Sequence, residues 1–351
     1  MKNKNIFISG RAIGIDYPPY IVAELSANHN GNIERAFATM EAAKKAGADA
    51  IKLQTYTPET MTIECDKPDF MVEGGLWDGY TLFELYQEAQ TPFEWQKPLF
   101  DKARALDITC FSTPFDESAV DLLEDLNVPA YKIASFEAID LALIKRVAET
   151  KKPMVISTGM ANLEEISEAV DVARSGGCKD LVLLHCISSY PAPVEESNLR
   201  TIDDLAQKFG VVAGLSDHSL GTTTSLAGVA LGAAMIEKHF TLSRADKGPD
   251  STFSLEPNEL RSLCEQSKLV WQALGTAGYE RKPAEEASLK FRRSLYAVKD
   301  IAAGEALTPE NIRKIRPGYG LPPKYLPQIL GKIAKGKISA GTAIQWELFD
   351  E

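Results

Sequence analysis

The sequence predicts a closed barrel of eight parallel strands wrapped by helices, followed by a small β-rich domain. Strand-like apolar runs recur about every 20 to 35 residues over the first three quarters of the chain. Amphipathic stretches with a helical spacing of apolar residues separate these runs. Nearly all of the runs end in residues that can bind charge, which is where a (β/α)8 TIM barrel builds an active site. These observations predict the α/β fold class, with a TIM barrel in the amino-terminal part of the chain.

The predicted strands and helices alternate along the barrel. The strand-like runs are YIVAE (20–24), ADAIKLQ (48–54), ITCFST (108–113), AYKIAS (130–135), PMVIST (153–158), LVLLHC (181–186), VVAGLSDH (211–218) and AAMIEKHF (233–240). The amphipathic stretches cover residues 32–46, 92–106, 117–126, 141–149, 163–175, 198–209, 222–231 and 259–274. Each stretch has charges on one side and Ala, Leu, Ile and Val on the other, so we expect its apolar side to cover the barrel.

The pattern changes after residue 274. Residues 276–290 are polar and lack sustained hydrophobic periodicity, which predicts a linker. The following residues hold two strand candidates, SLYAVKDI (294–301) and AIQWELF (343–349), and a brief helix opened by Thr308 and Pro309. We therefore predict a barrel domain over 1–275, a linker over 276–290 and a small β-rich domain over 291–351.

Composition limits the class of function. The formal net charge of -11 argues against a general binder of nucleic acid or of anionic membranes, although it leaves room for a local basic pocket. No apolar run approaches the roughly 20 residues that span a bilayer, and the amino terminus lacks the long apolar stretch of a signal peptide. Five cysteines without a CxxC pair are typical of a reduced, cytoplasmic protein.

Two histidines end consecutive late strands, His218 in GLSDHS and His239 in EKHF. Neighbouring strands of a closed barrel bring their ends within reach of one ion. We therefore predict a divalent metal held by two imidazoles, with water and substrate oxygens in the open positions. The scarcity of Cys ligands favours an oxygen-rich site for Mn, Mg or Co over a structural zinc site. The alternative is that each histidine only satisfies local hydrogen bonds.

Two lysines lie in early strands that are otherwise apolar, Lys52 in AIKLQ and Lys132 in YKIAS. An unpaired buried ammonium is costly, so each lysine must face the barrel mouth or bind an anion. Hydroxyl side chains accompany them at Thr113, Ser135, Ser157 and Ser216. Point charges with hydroxyl donors predict a site for a phosphate or phosphate-carboxylate ligand. Alternatively the lysines extend to solvent and the hydroxyls cap helices.

Carboxylates complete the predicted site. Glu24 ends the first strand, Glu137 follows the fourth, Asp217 adjoins His218 and Asp250 lies in the loop after the eighth. Near a metal and two lysines, such groups position water, move a proton or hold sugar hydroxyls. Glu24 and Glu137 follow apolar strands directly and are the stronger candidates, whereas Asp217 could bond only to backbone or to His218.

Seven segments in order closely resemble the sialic acid synthase family. They are AELSANHNG (23–31), IKLQTYTP (51–58), FSTPF (111–115), YKIASFE (131–137), STGM (157–160), GLSDHS (214–219) and EKHFTL (237–242). Residues 291–351 resemble the antifreeze-like SAF, or β-clip, domain that ends these proteins. Within the family, SANHNG, GGLWDG (74–79), SFE (135–137) and SSYP (188–191) look like the pseudaminic acid synthase branch. The N-acetylneuraminate branch typically has Gly where Phe136 stands and Asn where Ser188 stands.

The resemblance implies a transferase that condenses phosphoenolpyruvate with 2,4-diacetamido-2,4,6-trideoxy-L-altrose. The products would be a nine-carbon α-keto acid and phosphate, released by C–O cleavage. Residues that correspond to the family's phosphoenolpyruvate site are Lys52, Lys132, Ser135, Ser157, Ser188 and Ser216, with Thr113 at the carboxylate end. Residues that correspond to its sugar site are Gln54, Glu137, Tyr190 and Asp250. Glu24 and Glu137 are candidates for moving a proton or a water, in roles that the sequence leaves open.

The resemblance also implies a role for the second domain. In the family this domain closes the barrel of the partner subunit, and Arg316 matches an arginine that reaches the sugar's acetamido group. A linker of about 15 residues can reach a neighbouring barrel, so we expect a domain-swapped homodimer. The alternative is a module that stabilises its own barrel.

Other classes of function remain open at this point. Within the family, the acceptor could be that of an N-acetylneuraminate or a legionaminic acid synthase. A metal-dependent phosphosugar aldolase would also use a metal and lysines on a barrel. A noncatalytic carbohydrate-binding protein could carry an antifreeze-like module, but it would gain nothing from two metal-site histidines beside phosphate-binding lysines.

Overall fold

The computed structural model describes residues 4–350, and the chain divides into two compact units between Gly275 and Thr276. The first unit contains a closed barrel and the second a small β-rich fold. Each unit has its own hydrophobic core. This architecture confirms the fold class that the sequence predicts.

The first described element is an antiparallel hairpin that the sequence pattern did not predict. Strands β1 (Ile6–Ile8) and β2 (Arg11–Ile13) are joined by Ser9 and Gly10, which both have a positive φ. The three isoleucines of the hairpin are fully buried in the cluster that includes the barrel's inward side chains. Strands of three residues are too short for their alternation to stand out in a sequence.

Eight parallel strands follow and close the barrel. They are β3 (Tyr20–Glu24), β4 (Ala50–Thr55), β5 (Thr109–Pro114), β6 (Tyr131–Ile133), β7 (Met154–Ser157), β8 (Leu181–Cys186), β9 (Val212–Ser216) and β10 (Met235–His239). Each strand pairs with the next, and β10 pairs with β3. Every predicted strand is present, because the barrel buries both of its faces and the strands read as apolar runs.

Ten helices belong to the described part of this unit. They are α1 (Ile33–Ala46), α2 (Pro58–Met61), α3 (Leu82–Ala89), α4 (Phe93–Ala105), α5 (Glu117–Asp125), α6 (Leu141–Ala148), α7 (Leu163–Ser175), α8 (Thr201–Phe209), α9 (Thr223–Ala230) and α10 (Pro257–Leu274). All eight predicted helices are present. Local chemistry fixes several starts: Asn32 accepts hydrogen bonds from two backbone amides of α1, and Asn162 forms a capping box with Glu165 at α7.

The two helices that were not predicted, α2 and α3, lie in the long connection between β4 and α4. This connection also contains two short 3-10 turns, at Pro68–Phe70 and Gly75–Trp77. No residue of α3 is buried, so its apolar residues do not join the main core. The connection lies at the carboxyl end of β4, which is the active-site face of such a barrel.

The second unit is built around a two-stranded sheet of β11 (Ser294–Ala297) and β12 (Ile312–Ile315). The helix predicted at Thr308 and Pro309 is wrong. The Ile312 amide bonds back to the Thr308 carbonyl, and the chain then enters β12 after a single turn. The strand predicted over residues 343–349 is also wrong, because a 3-10 turn at Trp346–Leu348 separates two isolated bridges.

Three further features complete the description of the fold. The segment predicted as a linker contains a 3-10 helix, Pro283–Phe291, none of whose residues is buried. Among residues 4–350, no helix has the length and apolar character needed to cross a bilayer. Isoleucine, leucine and phenylalanine side chains, among them Ile301, Ile344 and Phe349, form the core of the second unit.

Candidate active site

The barrel residues predicted for the site occupy the barrel strands or the loops that follow them. Strand register makes Glu24 a neighbour of both Lys52 and His239, and it places Gln54 beside Thr113. Arg316 belongs to the second unit, where it is exposed and directly follows β12. The predicted barrel residues are Glu24, Lys52, Gln54, Thr113, Lys132, Ser135, Glu137, Ser157, Ser188, Tyr190, Ser216, His218, His239 and Asp250.

A buried cluster of four charged side chains forms the base of the site. The Lys52 ammonium lies 2.5 Å from Glu24 and 3.7 Å from Glu237, and Lys132 lies 3.4 Å from Glu237. Lys52 also donates to Thr113 Oγ1 at 3.2 Å. The charged side chains are at most 5% exposed. Two lysines therefore face two carboxylates in a region from which water is excluded.

This charge balance sets the protonation of the cluster. Burial raises the pKa of Glu24 to about 7, against the lowering effect of Lys52. Burial alone would raise the pKa of Glu237, but Lys132 and Lys52 outweigh it and hold that pKa below its usual value. Burial lowers the pKa of Lys132, whereas Glu237 and Glu24 together raise the pKa of Lys52 despite its burial. Lys132, which has one carboxylate partner, is thus less firmly protonated than Lys52, which has two.

Hydroxyl groups gather around the backbone of Gly159. The Gly159 amide donates to Ser135 Oγ at 3.2 Å. A Cβ atom at this position would lie 2.2 Å from Ser188 Oγ and 2.8 Å from Ser135 Oγ, so only glycine fits between the two serines. Ser157 Oγ is buried without a hydrogen-bond partner, and Ser216 donates to Glu237 at 3.1 Å. The hydroxyl protons of Ser135, Ser157 and Ser188 therefore remain available to an anion, whereas that of Ser216 is donated to Glu237.

The two predicted imidazoles are neighbours, with ring centroids 5.5 Å apart. His218 Nδ1 lies 2.9 Å from the Ile187 carbonyl oxygen, which can only accept, so Nδ1 carries a proton. Burial lowers the pKa of His218, but Cys186 outweighs it and raises that pKa above its usual value, so Nε2, 3.5 Å from Ser216 Oγ, has to be deprotonated to bind a metal. His239 Nδ1 is buried, has no hydrogen-bond partner and lies 3.8 Å from Asp250. Burial, with His218 and Lys52 nearby, lowers the pKa of His239 well below its usual value, so this ring is neutral.

These features fit a metal with two protein nitrogen ligands. Both rings are buried and close together, and His239 has an unpartnered nitrogen. Within residues 4–350, no group of three or more His, Cys, Asp or Glu side chains is arranged to hold an ion. A closed four-ligand protein site is thus not present in the described chain. The remaining positions around an ion would be open to water and substrate oxygens.

A cavity of about 330 Å³ opens beside His239. Gln54, Glu137, Tyr190 and Asp250, which the sequence assigned to a sugar, all line it. Asp250 Oδ2 accepts from Ser26 Oγ at 2.5 Å and from the Ala27 amide at 3.3 Å. Burial raises the pKa of Glu137 to about 7. The cavity is thus lined by the hydrogen-bonded carboxylate of Asp250, the readily protonated carboxyl of Glu137 and the imidazole of His239.

Sequence reasoning missed two residues of this site. Glu237 is the centre of the charged cluster, and its alternation with His239 along β10 was the signal that could have found it. Ser26 has φ 46, a left-handed conformation, and nothing in its sequence context indicated its bond to Asp250. Asp217 instead pairs with the buried Lys238 at 3.0 Å, as expected of a residue outside the substrate site.

Glutamates, lysines and two imidazoles converge at one end of a closed parallel barrel, which is the arrangement of a TIM-barrel enzyme. Comparison with known proteins identifies the particular family. Residues 39–279 match the NeuB family, and residues 292–350 match the SAF domain. The chain belongs to the NeuB family, and it is an enzyme of the synthase type. This confirms the resemblance that the sequence motifs indicated.

Individual relatives support the same assignment. Pseudaminic acid synthase of Helicobacter pylori is 46% identical over 93% of this chain and 96% of the relative. N,N'-diacetyllegionaminic acid synthase of Campylobacter jejuni is 38% identical over 90% of this chain and 95% of the relative. The crystal structure of N-acetylneuraminic acid synthetase from Leptospira borgpetersenii superposes with a TM-score of 0.74 at 30% identity, covering 83% of this chain and 96% of that one.

Proposed function

We propose that this enzyme is a pseudaminic acid synthase that condenses phosphoenolpyruvate with 2,4-diacetamido-2,4,6-trideoxy-L-altrose. The observation that carries the proposal is the 46% identity to a pseudaminic acid synthase over nearly the full length of both chains. The buried lysines and the two imidazoles beside a cavity support it. An N-acetylneuraminic acid synthetase and a legionaminic acid synthase are similar to this chain at lower identity, and these activities remain the alternatives within the family.

Phosphoenolpyruvate binds at the charged base of the site. Lys52 and Lys132 supply positive charge, and the hydroxyls around Gly159 supply donors for its phosphate. Thr113, 3.2 Å from Lys52, lies at the carboxylate end. The full set of proposed ligands is Lys52, Lys132, Thr113, Ser135, Ser157, Ser188 and Ser216.

The acceptor sugar occupies the adjoining cavity. Gln54, Tyr190 and Asp250 hold its polar groups, because all three line this space with Glu137 and His239. His218 and His239 would hold a divalent metal, which would supply Lewis-acid polarisation of the sugar's aldehyde. Mn, Mg and Co all suit two imidazoles with oxygen ligands.

The chemistry must form one C–C bond and break one C–O bond. C3 of the enolpyruvyl group attacks the aldehyde carbon, and the aldehyde oxygen takes up a proton. The attack leaves positive charge on C2, where water adds and loses a proton, and the tetrahedral intermediate then releases phosphate as the C2–O bond breaks. Glu24 and Glu137 both have a pKa of about 7, so each can give or take a proton near neutral pH.

Phosphate release from phosphoenolpyruvate tests the reaction. The enzyme is stripped with a chelator, supplied with Mn and offered the altro-configured diacetamido sugar, its manno isomer or N-acetylmannosamine. Release with the first sugar alone is the expected result. Release with another sugar would assign the enzyme to another branch of the family. Release with none of the three sugars would contradict the proposed synthase activity.

Replacement of His239 by alanine tests the metal site. We expect loss of metal-dependent turnover, weaker Mn binding in a calorimetric titration and an unchanged far-UV circular dichroism spectrum. His239 contributes an imidazole nitrogen without another partner, so its removal leaves one nitrogen ligand. Full activity in His239→Ala would contradict the assignment.

We further propose that the enzyme is a domain-swapped homodimer, in which Arg316 reaches the acetamido group of the sugar in the partner's barrel. The test coexpresses two inactive variants, Arg316→Ala and His239→Ala. In a swapped dimer, one mixed site has both native residues, so activity returns. No recovery would favour a domain that serves its own barrel. An active monomer lacking residues 285–351 would contradict the swapped dimer.

The reaction is assigned to the cytoplasm. All five cysteines are free in the structure, which suits a reducing compartment. Fractionation of the native cell with an antibody against the chain tests this assignment.

A further inference from the structure

The cavity beside His239 has two chemically different halves. Its polar half comprises Ser26, Gln54, Glu137, Tyr190, His239 and Asp250. Its other half is formed largely by the long connection between β4 and α4. We call this half the apolar wall and define it by Met61, Val72, Trp77, Leu82 and Leu85.

Helix α3 supplies Leu82 and Leu85 of the apolar wall. Its residues Leu82, Leu85, Tyr86 and Ala89 follow helical spacing and all line the cavity. None of them is buried in the protein core. An amphipathic helix normally buries its apolar stripe. Here that stripe borders the cavity, so a ligand in the cavity would cover it.

The apolar wall is held in place before a ligand arrives. Trp77 Nε1 donates to the Pro249 carbonyl at 3.1 Å, and its ring lies 5.8 Å from that of Tyr190. The Val72 amide donates to the Tyr80 carbonyl at 2.8 Å. Thr81 and Glu84 form a capping box at the start of α3. The Trp77 bond connects the wall to the loop that carries Asp250, and the other bonds hold the connection between β4 and α4 together.

We propose that the apolar wall is the specificity element for the acceptor, and that it selects a deoxy, N-acylated sugar over a hydroxylated or free-amino one. The proposal rests on the proposed function, which places the sugar in this cavity. The polar half holds the reacting end of the sugar near His239. The far end then meets the wall, where methyl groups of a deoxy carbon and of acetamido groups find apolar contact. A hydroxyl or ammonium there would lose water without gaining a partner.

The expected preference for the deoxy, N-acylated sugar can be given as a ratio of kcat/KM values. A single methyl group in an apolar pocket changes kcat/KM by about 10- to 200-fold, and such a pocket rejects an added hydroxyl by roughly 100-fold. We therefore expect kcat/KM to fall by about 10- to 200-fold when the 6-deoxy carbon becomes a hydroxymethyl group. Replacement of the 4-acetamido group by a free amine should lower it at least as much, because the group is then charged.

The first test measures kcat/KM for the diacetamido sugar, its 6-hydroxy analogue and its 4-amino analogue with unaltered enzyme. No phosphate release from the diacetamido sugar would contradict the proposed function itself. Release with all three sugars at similar kcat/KM would leave that function intact and overturn only the role of the wall.

The second test changes the wall. Leu85→Gln keeps a good helix former and adds hydrogen-bonding groups to the wall, and Leu82→Gln repeats the change one turn away. Both variants should reduce the preference for the deoxy over the 6-hydroxy sugar by about fivefold or more. Leu76→Gln is the matched control, since Leu76 lies on the same connection, is 43% exposed and does not line the cavity. An unchanged preference in both wall variants would overturn the proposal, and if neither variant folds, the comparison of sugars with unaltered enzyme decides it.

Discussion

Replacing Glu237 with glutamine removes the negative charge that lies between two buried lysines. Glu237 is 3.7 Å from Lys52 and 3.4 Å from Lys132. Lys52 keeps Glu24 at 2.5 Å, but Lys132 loses its ion-pair partner in the cluster. The variant therefore has one uncompensated buried ammonium.

The size of the effect follows from these distances. At an effective dielectric constant of about 20, each attraction is worth roughly 5 kcal/mol before desolvation is subtracted. Breaking a buried pair by removing one partner typically costs about 3–5 kcal/mol. With an unfolding entropy of about 2.1 cal/mol/K per residue, a barrel unit of this length should lose roughly 5–9 °C in Tm.

Differential scanning calorimetry without ligand measures this loss, and Glu265→Gln serves as the control because Glu265 is an exposed glutamate of the same unit. Phosphoenolpyruvate should raise the Tm of Glu237→Gln more than that of the unaltered enzyme, since the added anion replaces the missing charge. A Tm within about 1 °C of the unaltered enzyme, or an equal response to ligand, would refute this account of the cluster.

Three further predictions concern single residues. Lys132→Ala should raise KM for phosphoenolpyruvate by about 10- to 100-fold, because the bound anion loses a charged partner, and should change KM for the sugar little. An unchanged KM for phosphoenolpyruvate in a steady-state assay would show that Lys132 does not bind the phosphate. Ser26→Ala should lower kcat/KM for the sugar by roughly tenfold through loss of the hydrogen bond to Asp250, and Ser26→Gly, which relieves the positive φ, should do the same if the hydroxyl rather than the backbone matters. Glu137 has a pKa raised from 4.5 to about 7, so its carboxylate is disfavoured in the folded state and the enzyme loses stability as pH rises through that range. Urea unfolding should therefore show Glu137→Gln to be more stable than the unaltered enzyme at pH 8, by at most about 3 kcal/mol, and no more stable at pH 4; equal stability at both values would contradict the raised pKa.

The barrel could be predicted because its signals are local and repeated. Each strand is an apolar run buried on both faces, and side chains such as Asn32 and Asn162 fix where helices begin. The second unit offered no such repetition. Thr308 and Pro309 carry the chemistry of a helix start, but tertiary hydrogen bonds turn the chain into β12 after one turn.

The candidate site was predictable to the extent that its residues lie in strands or directly follow them. Lys52, Lys132 and the two imidazoles stand out because charge or ring nitrogen interrupts an apolar run. The apolar wall could not be found in this way. Leucines of a short helix look the same in a sequence whether they face a core or a cavity, and only the tertiary structure distinguishes the two.

Strand β10 explains why so much of the chemistry depends on register. Glu237 faces Lys52 and Lys132, and His239 faces the imidazole of His218. Lys238, between them, points the other way and pairs with Asp217 at 3.0 Å. All three residues are at most 9% exposed. A shift of one residue would place Lys238 among Lys52 and Lys132 and leave both carboxylate and imidazole outside the site. Such an arrangement would bury three ammonium groups against one carboxylate, so the same charges that serve the site also hold this strand in register.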